Sequence, residues 1–198
     1  MSVVVHLAAI RSQHDSGIRQ ITALSARLAY LFVCLTLAWG VFAATGWINR
    51  ITGRGTVRGT HQAFALFTIA FGVAHAAAFL FLTDAGELFT PLMLAVPLAG
   101  GGLLRWAPGI VGLELMLAVA GTVGLQHRIT YRKWLRWHQF GYLAVGLTAV
   151  HSWFGAVANG HLEPLWLAGI TVLAPAIVLC ALRFTPSRVL VSAGLLNG

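Results

Sequence analysis

The chain has 198 residues, 58% of them hydrophobic and only 9% charged, with a formal net charge of +8 and a mean hydropathy of +0.81. Soluble domains carry roughly 25% charged residues, so a water-soluble globular fold is excluded, and the length suffices for about five membrane spans without a soluble catalytic domain. The positive charge sits in short loops between apolar runs, where it reads as a topology signal; no nucleic-acid partner is expected.

Only helices and closed barrels satisfy the backbone in lipid. The expectation is therefore an all-α polytopic membrane helix bundle of five spans plus an interfacial segment. It divides into a polar N-terminal tail (1–25), a membrane domain (26–184) and a C-terminal tail (185–198). The tail carries His6, Arg11, His14, Asp15 and Arg19 and reads as too polar to span, a free tail or an amphipathic surface helix. No cleavable signal peptide is expected, because the first long apolar run can itself span. Spans follow at 26–47, 61–82, 109–126, 137–156 and 165–182. The apolar tract 88–104 is broken by Pro91, Pro97 and the run Gly100-Gly101-Gly102, and reads as interfacial or re-entrant.

Two loops are basic and free of acids. The first holds Arg50, Arg54 and Arg58; the second holds Arg128, Arg132, Lys133 and Arg136. With five spans both fall on one side, which the positive-inside rule makes cytoplasmic. Arg11, Arg19 and Arg27 of the N-terminal part then lie outside, against the rule but outnumbered. The expected location is the cell membrane, multi-pass.

Two stretches mirror each other: HQAFALFTIAFGVAH, bounded by His61 and His75, and HQFGYLAVGLTAVH, bounded by His138 and His151. On helices, each pair is about 20 Å apart along the axis, at ~1.5 Å per residue. That places one histidine towards each face of a hydrocarbon core about 30 Å thick. A histidine there is costly unless paired or ligated. Two helices side by side would offer two facing imidazole pairs, an arrangement able to hold two stacked haems, with His61 and His138 inner and His75 and His151 outer. Bis-imidazole haem suits electron transfer, because both oxidation states keep six ligands. The competing reading is four histidines bonded to backbone carbonyls or facing polar cavities. The spacing poses a geometric problem. At 100° per residue His75 returns to within about 40° of the direction of His61, whereas His151 ends about 140° from His138.

These paired histidines, with their spacing, resemble the ferric reductase-like transmembrane domain superfamily, which includes iron reductases and NADPH oxidases. The similarity covers roughly residues 26–184. It implies two b-type haems between two helices, with His61 and His138 ligating the inner haem and His75 and His151 the outer. Arg58, Arg132 and Arg136 are candidates for the inner propionates, although positive-inside charge alone would also place them there. Gln62 and Gln139 could hydrogen-bond near the inner haem. Phe64, Phe67, Phe71, Phe140 and Tyr142 could line haem faces. Glu114, an acid inside a span, could bond a histidine or an outer propionate, or relay a proton. Arg105 and His161 would lie on the outer side; His127 reads as solvated. Cys34 and Cys180 form no CxxC motif and read as core packing.

Full reductases of this kind continue into flavin and nicotinamide domains. This sequence has no GxGxxG fingerprint between a strand and a helix, so flavin and NAD(P)H are expected only through a partner. The implied function is a membrane electron carrier. Its donor would be a cytoplasmic flavoreductase or a quinone, and its acceptor a ferric chelate, dioxygen, a quinone or a partner protein outside. Alternatives are the haem-bearing membrane subunit of a methionine sulfoxide reductase system, a non-enzymatic haem-binding or sensory membrane protein, and a transporter with buried histidines and no haem.

Overall fold

The computed structural model describes residues 2–45, 52–83, 89–97, 99, 105–160, 174, 177, 178, 181 and 184–192, with side-chain environments from residue 13 onward. Helix α1 runs Ser2–Thr45 and α2 runs Arg54–Ala78, extended by a 3₁₀ turn at Phe79–Phe81. A short α3 covers Pro91–Ala95. Two long helices follow, α4 at Ala107–Leu125 and α5 at Tyr131–Asn159, and a short α6 covers Ser187–Ser192. No strand occurs among the described residues.

Local chemistry sets the boundaries. Gly53, at φ 81°, sits in the left-handed region that starts α2. Pro108 lies in the first turn of α4, where its missing N–H costs nothing. Gly160, at φ 69°, ends α5 and donates its N–H to the carbonyls of Ala156 and Val157.

Among the described residues, four helices are long and apolar enough to cross a membrane: Gln13–Ala44, Arg54–Phe81, Ala107–Leu125 and Tyr131–Asn159. This is the build of a multi-pass membrane protein. Large apolar side chains such as Leu66, Phe81, Leu117, Leu143 and Trp153 face outward, as a lipid-facing surface requires. The fifth span expected at 165–182 falls almost wholly outside the described residues. So does much of the 88–104 tract, of which α3 is the helical part.

The first span differs most from its expectation. From Ser2 onward the polar N-terminal stretch is continuous with it in one helix, and Gln13–Ala44 is of membrane length. The polarity is one-sided. His14, Arg19 and Gln20 are exposed, while Asp15, Thr22 and Ser25 are buried. Each buried group is satisfied. Thr22 Oγ1 donates to Ile18 O at 2.8 Å, and Ser25 Oγ donates to Ile21 O at 2.7 Å. Asp15 Oδ1 accepts from Thr83 N at 3.0 Å and Thr83 Oγ1 at 2.9 Å, tying α1 to the end of the second span. Asp15→Ala is expected to destabilise the protein, because it removes the acceptor of both Thr83 bonds. Thermal unfolding in detergent would show it as a lowered midpoint; an unchanged midpoint would deny Asp15 this role.

The helices form a four-cornered bundle. α1 packs along α2 and α4 along α5, with lesser contacts of α1 to α5 and of α2 to α4. α2 and α5, the histidine-bearing helices, face each other across the middle with little backbone approach. Tyr30, Val33 and Cys34 of α1 form a buried cluster against Met116 of α4 and Val145 of α5. By helix register this layer lies midway along the bundle. Small residues let α4 and α5 close up: a Cβ on Gly112 would meet Thr148 Oγ1 at 2.7 Å and Ala144 O at 3.2 Å.

Candidate functional site

α1 and α2 run antiparallel, and their register decides two of the four histidines. His61 Nδ1 lies 3.2 Å from Thr36 O, and His75 Nδ1 lies 3.0 Å from Thr22 O. The two threonines have the same spacing in α1 as the two histidines in α2, so each ring finds a carbonyl at its own level. On α5, His151 Nδ1 lies 2.7 Å from Arg105 O, just before α4. A carbonyl only accepts, so in all three rings Nδ1 carries the proton and donates it. That leaves the Nε2 lone pair free. The competing reading of carbonyl-bonded histidines thus holds at Nδ1 of His61, His75 and His151, and no carbonyl contact engages their Nε2.

The rings meet in the expected pairs. His61 and His138 have centroids 6.0 Å apart with planes inclined at 64°. His75 and His151 have centroids 6.2 Å apart at 63°. A ring-to-ring N–H···N bond would bring the centres to about 5 Å, so neither pair is bonded to itself. Two imidazoles trans on one metal would have centres about 6.3 Å apart, from about 2.0 Å per metal–nitrogen bond and a little over 1 Å from nitrogen to ring centre. Both observed separations match that second arrangement and also lie within ordinary edge-to-face ring packing, as the inclinations of 64° and 63° do. Among the described residues no three His, Cys, Asp or Glu side chains converge, so the donor sets are pairs. A pair falls short of a protein-only tetrahedral site and equals in number the two protein ligands that a macrocycle-held metal would take.

The 13-residue spacing on α5 is accommodated without interrupting the helix, which is α-helical from Tyr131 to Asn159. The two rings leave α5 differently. His151 lies against α4, where a Cβ on Gly109 would be 2.8 Å from its Cδ2 and Cγ. His138 lies back along its own helix, stacked on Trp134 with centroids 4.8 Å apart and planes at 20°. Between them Thr148 Oγ1 donates to Ala144 O at 2.9 Å, a back-bond of the kind that bends helices. On α2, His61 occupies the space that a Cβ on Gly40 would take, 3.0 Å from its Cε1.

The remaining candidates are placed as follows. Arg58 donates through Nη2 to Gln126 Oε1 at 2.9 Å, joining the starts of α2 and the α4–α5 turn at the basic end. Arg132 and Arg136 are exposed in the first two turns of α5, at that same end. Gln62 and Gln139 are exposed. Phe67 and Phe71 pack on Phe32 of α1 at 5.0 and 5.8 Å, and Phe64 packs on Trp39 at 5.9 Å. These rings are therefore engaged with α1. Phe140 packs on Trp137, and Tyr142 meets Phe184. Glu114 is exposed on α4 and hydrogen-bonds no described residue. Arg105 contributes its carbonyl to the site. Cys34 is buried in the mid-bundle layer. His127 is exposed; His161 and Cys180 lie outside the described residues.

Thr22, Thr36, Gly40, Gly109 and Trp134 also shape the site, and none of them was a candidate from the sequence. A signal existed for the threonines, whose spacing equals that of the α2 histidines. The glycines carried none until their neighbours were known.

The fold and these side chains together define a helical membrane bundle with two imidazole pairs, one near each end. No family model, curated protein or solved structure matches the chain.

Proposed function

We propose that the chain is a di-haem b-type cytochrome of the cell membrane. It carries electrons from a cytoplasmic donor, a separate flavoreductase or a quinone, to an outer acceptor such as a ferric chelate. The observation that carries this reading is the pair of histidine couples at 6.0 and 6.2 Å, a separation that two imidazoles on one metal would also show. On this reading His61 and His138 hold the haem at the basic, cytoplasmic end, and His75 and His151 the haem at the other. Haem bound at such sites supplies a one-electron couple whose six ligands stay the same in both states.

The protein's own groups do the rest. The carbonyls of Thr36, Thr22 and Arg105 fix the tautomer and rotation of three imidazoles and raise their basicity. Tyr30, Val33, Cys34, Met116 and Val145 fill the level between the pairs with close-packed side chains and keep water out of it. Arg58, Arg132 and Arg136 supply positive charge at the end where the inner propionates would emerge, and the Gln126 bond holds Arg58 in place.

The test is vectorial. In inside-out vesicles a flavoreductase with NADPH should reduce the haem from the side bearing Arg58 and Arg132, and a ferric chelate trapped in the lumen should reoxidise it. Haem that never reduces from that side would contradict the carrier role. Turnover only when a methionine sulfoxide reductase replaces the chelate would reassign the acceptor.

A further inference from the structure

Of the four histidines, one is held differently. His61, His75 and His151 each give Nδ1–H to a backbone carbonyl. His138 Nδ1 is buried and has no hydrogen-bond partner among the described residues. Its ring instead lies face to face with Trp134, one helical turn earlier, at 4.8 Å and 20°. Trp134 is in turn backed by Tyr131 at 5.8 Å and 31°. Helix geometry favours this: side chains lean towards the N-terminus, so a ring at one position falls over the residue four before it.

We infer that Trp134 is the positioning residue for His138, fixing by stacking the imidazole rotation that a carbonyl bond fixes in the other three. The inference rests on the haem-ligating reading of the pairs. Imidazole rotation about the metal–nitrogen axis is otherwise nearly free, and a ligand histidine without an outer partner is rare. A flat indole parallel to the ring blocks that rotation sterically. It offers no acceptor, so His138 is also the least electron-donating of the four ligands. Trp134 Nε1 is itself buried without a partner among the described residues. The side chain is therefore placed by its ring and not by its N–H.

The test uses low-spin ferric electron paramagnetic resonance on the purified holoprotein, where the angle between the two axial imidazole planes sets the anisotropy of each haem's signal. The inner signal is assigned as the one absent from His61→Ala. Trp134→Leu should change the inner signal and speed loss of the inner haem about 10-fold, the lower end of the cost of removing a metal ligand's outer partner. The outer signal serves as the internal control for folding and should persist. Trp134→Phe keeps a stacking face without the N–H and should resemble wild type, as should Trp137→Leu, whose side chain is exposed. An inner signal unaltered in Trp134→Leu would overturn the inference, as would Trp134→Phe behaving like Trp134→Leu. Loss of both signals in Trp134→Leu would contradict a role confined to His138. A wild type with neither signal would overturn the haem reading and this inference with it.

Discussion

Replacing any one of the four histidines with alanine is expected to halve the haem content, from two per chain to one, and the four variants should fall into two classes. His61→Ala and His138→Ala should retain one haem, and His75→Ala and His151→Ala the other. The pairing follows from the rings, since 61 faces 138 at 6.0 Å and 75 faces 151 at 6.2 Å. Members of a class lie on different helices and are far apart in sequence, so shared spectra within a class would be hard to explain except by a shared metal. A haem with one imidazole removed loses an axial ligand and its low-spin character, so residual binding at the damaged site would still be visible as a high-spin signal. Four variants with identical spectra, or classes that pair 61 with 75, would contradict the arrangement.

Gly109→Ala should reproduce the His151→Ala spectrum without touching a histidine. The added Cβ would lie 2.8 Å from His151 Cδ2 and Cγ and 2.9 Å from its Nδ1, closer than real atoms approach. The ring must move, and with it the 2.7 Å bond to Arg105 O. Forcing an extra methyl group into packed surroundings costs about 1–3 kcal/mol, enough to shift most molecules away from the ligating position. Gly40→Ala should act in the same way but more mildly on the inner site, because its Cβ would meet His61 Cε1 at 3.0 Å. Gly121→Ala, on the same helix as Gly109 but in open space, should bind both haems. An outer haem retained in full by Gly109→Ala would show that His151 does not need its observed position.

Much of this architecture was legible in the sequence because membrane helices announce themselves by composition. The second, third and fourth expected spans each overlap an observed helix, Arg54–Phe81, Ala107–Leu125 and Tyr131–Asn159, and the second and fourth helices begin about two turns before the expected starts. The matched histidine spacings pointed to two pairs, and the rings do meet in those pairs. The N-terminal part, expected as a tail or an amphipathic surface helix, is helical and continuous with the first span, and its polarity is one-sided. Arg19 and His14 point away from the bundle, while Asp15, Thr22 and Ser25 point inward and are hydrogen-bonded. Thr22, within that N-terminal part, accepts from His75 through its carbonyl. The 140° offset between His138 and His151 looked like an obstacle because ideal helix angles treat both side chains alike. One ring leans onto α4 and the other back over Trp134. The α2 phenylalanines, readable from sequence as haem-facing or as ordinary packing, pack against Phe32 and Trp39. Backbone carbonyl partners and the space beside a glycine depend on the register between helices, which a single sequence does not state.

The most direct measurement is an absorbance spectrum of the protein purified from haem-replete cells, oxidised and dithionite-reduced, with haem quantified against polypeptide. Two low-spin b-type haems per chain are the expected result. A colourless preparation, with the helices folded and the histidines intact, would contradict the central claim that the two imidazole couples hold iron.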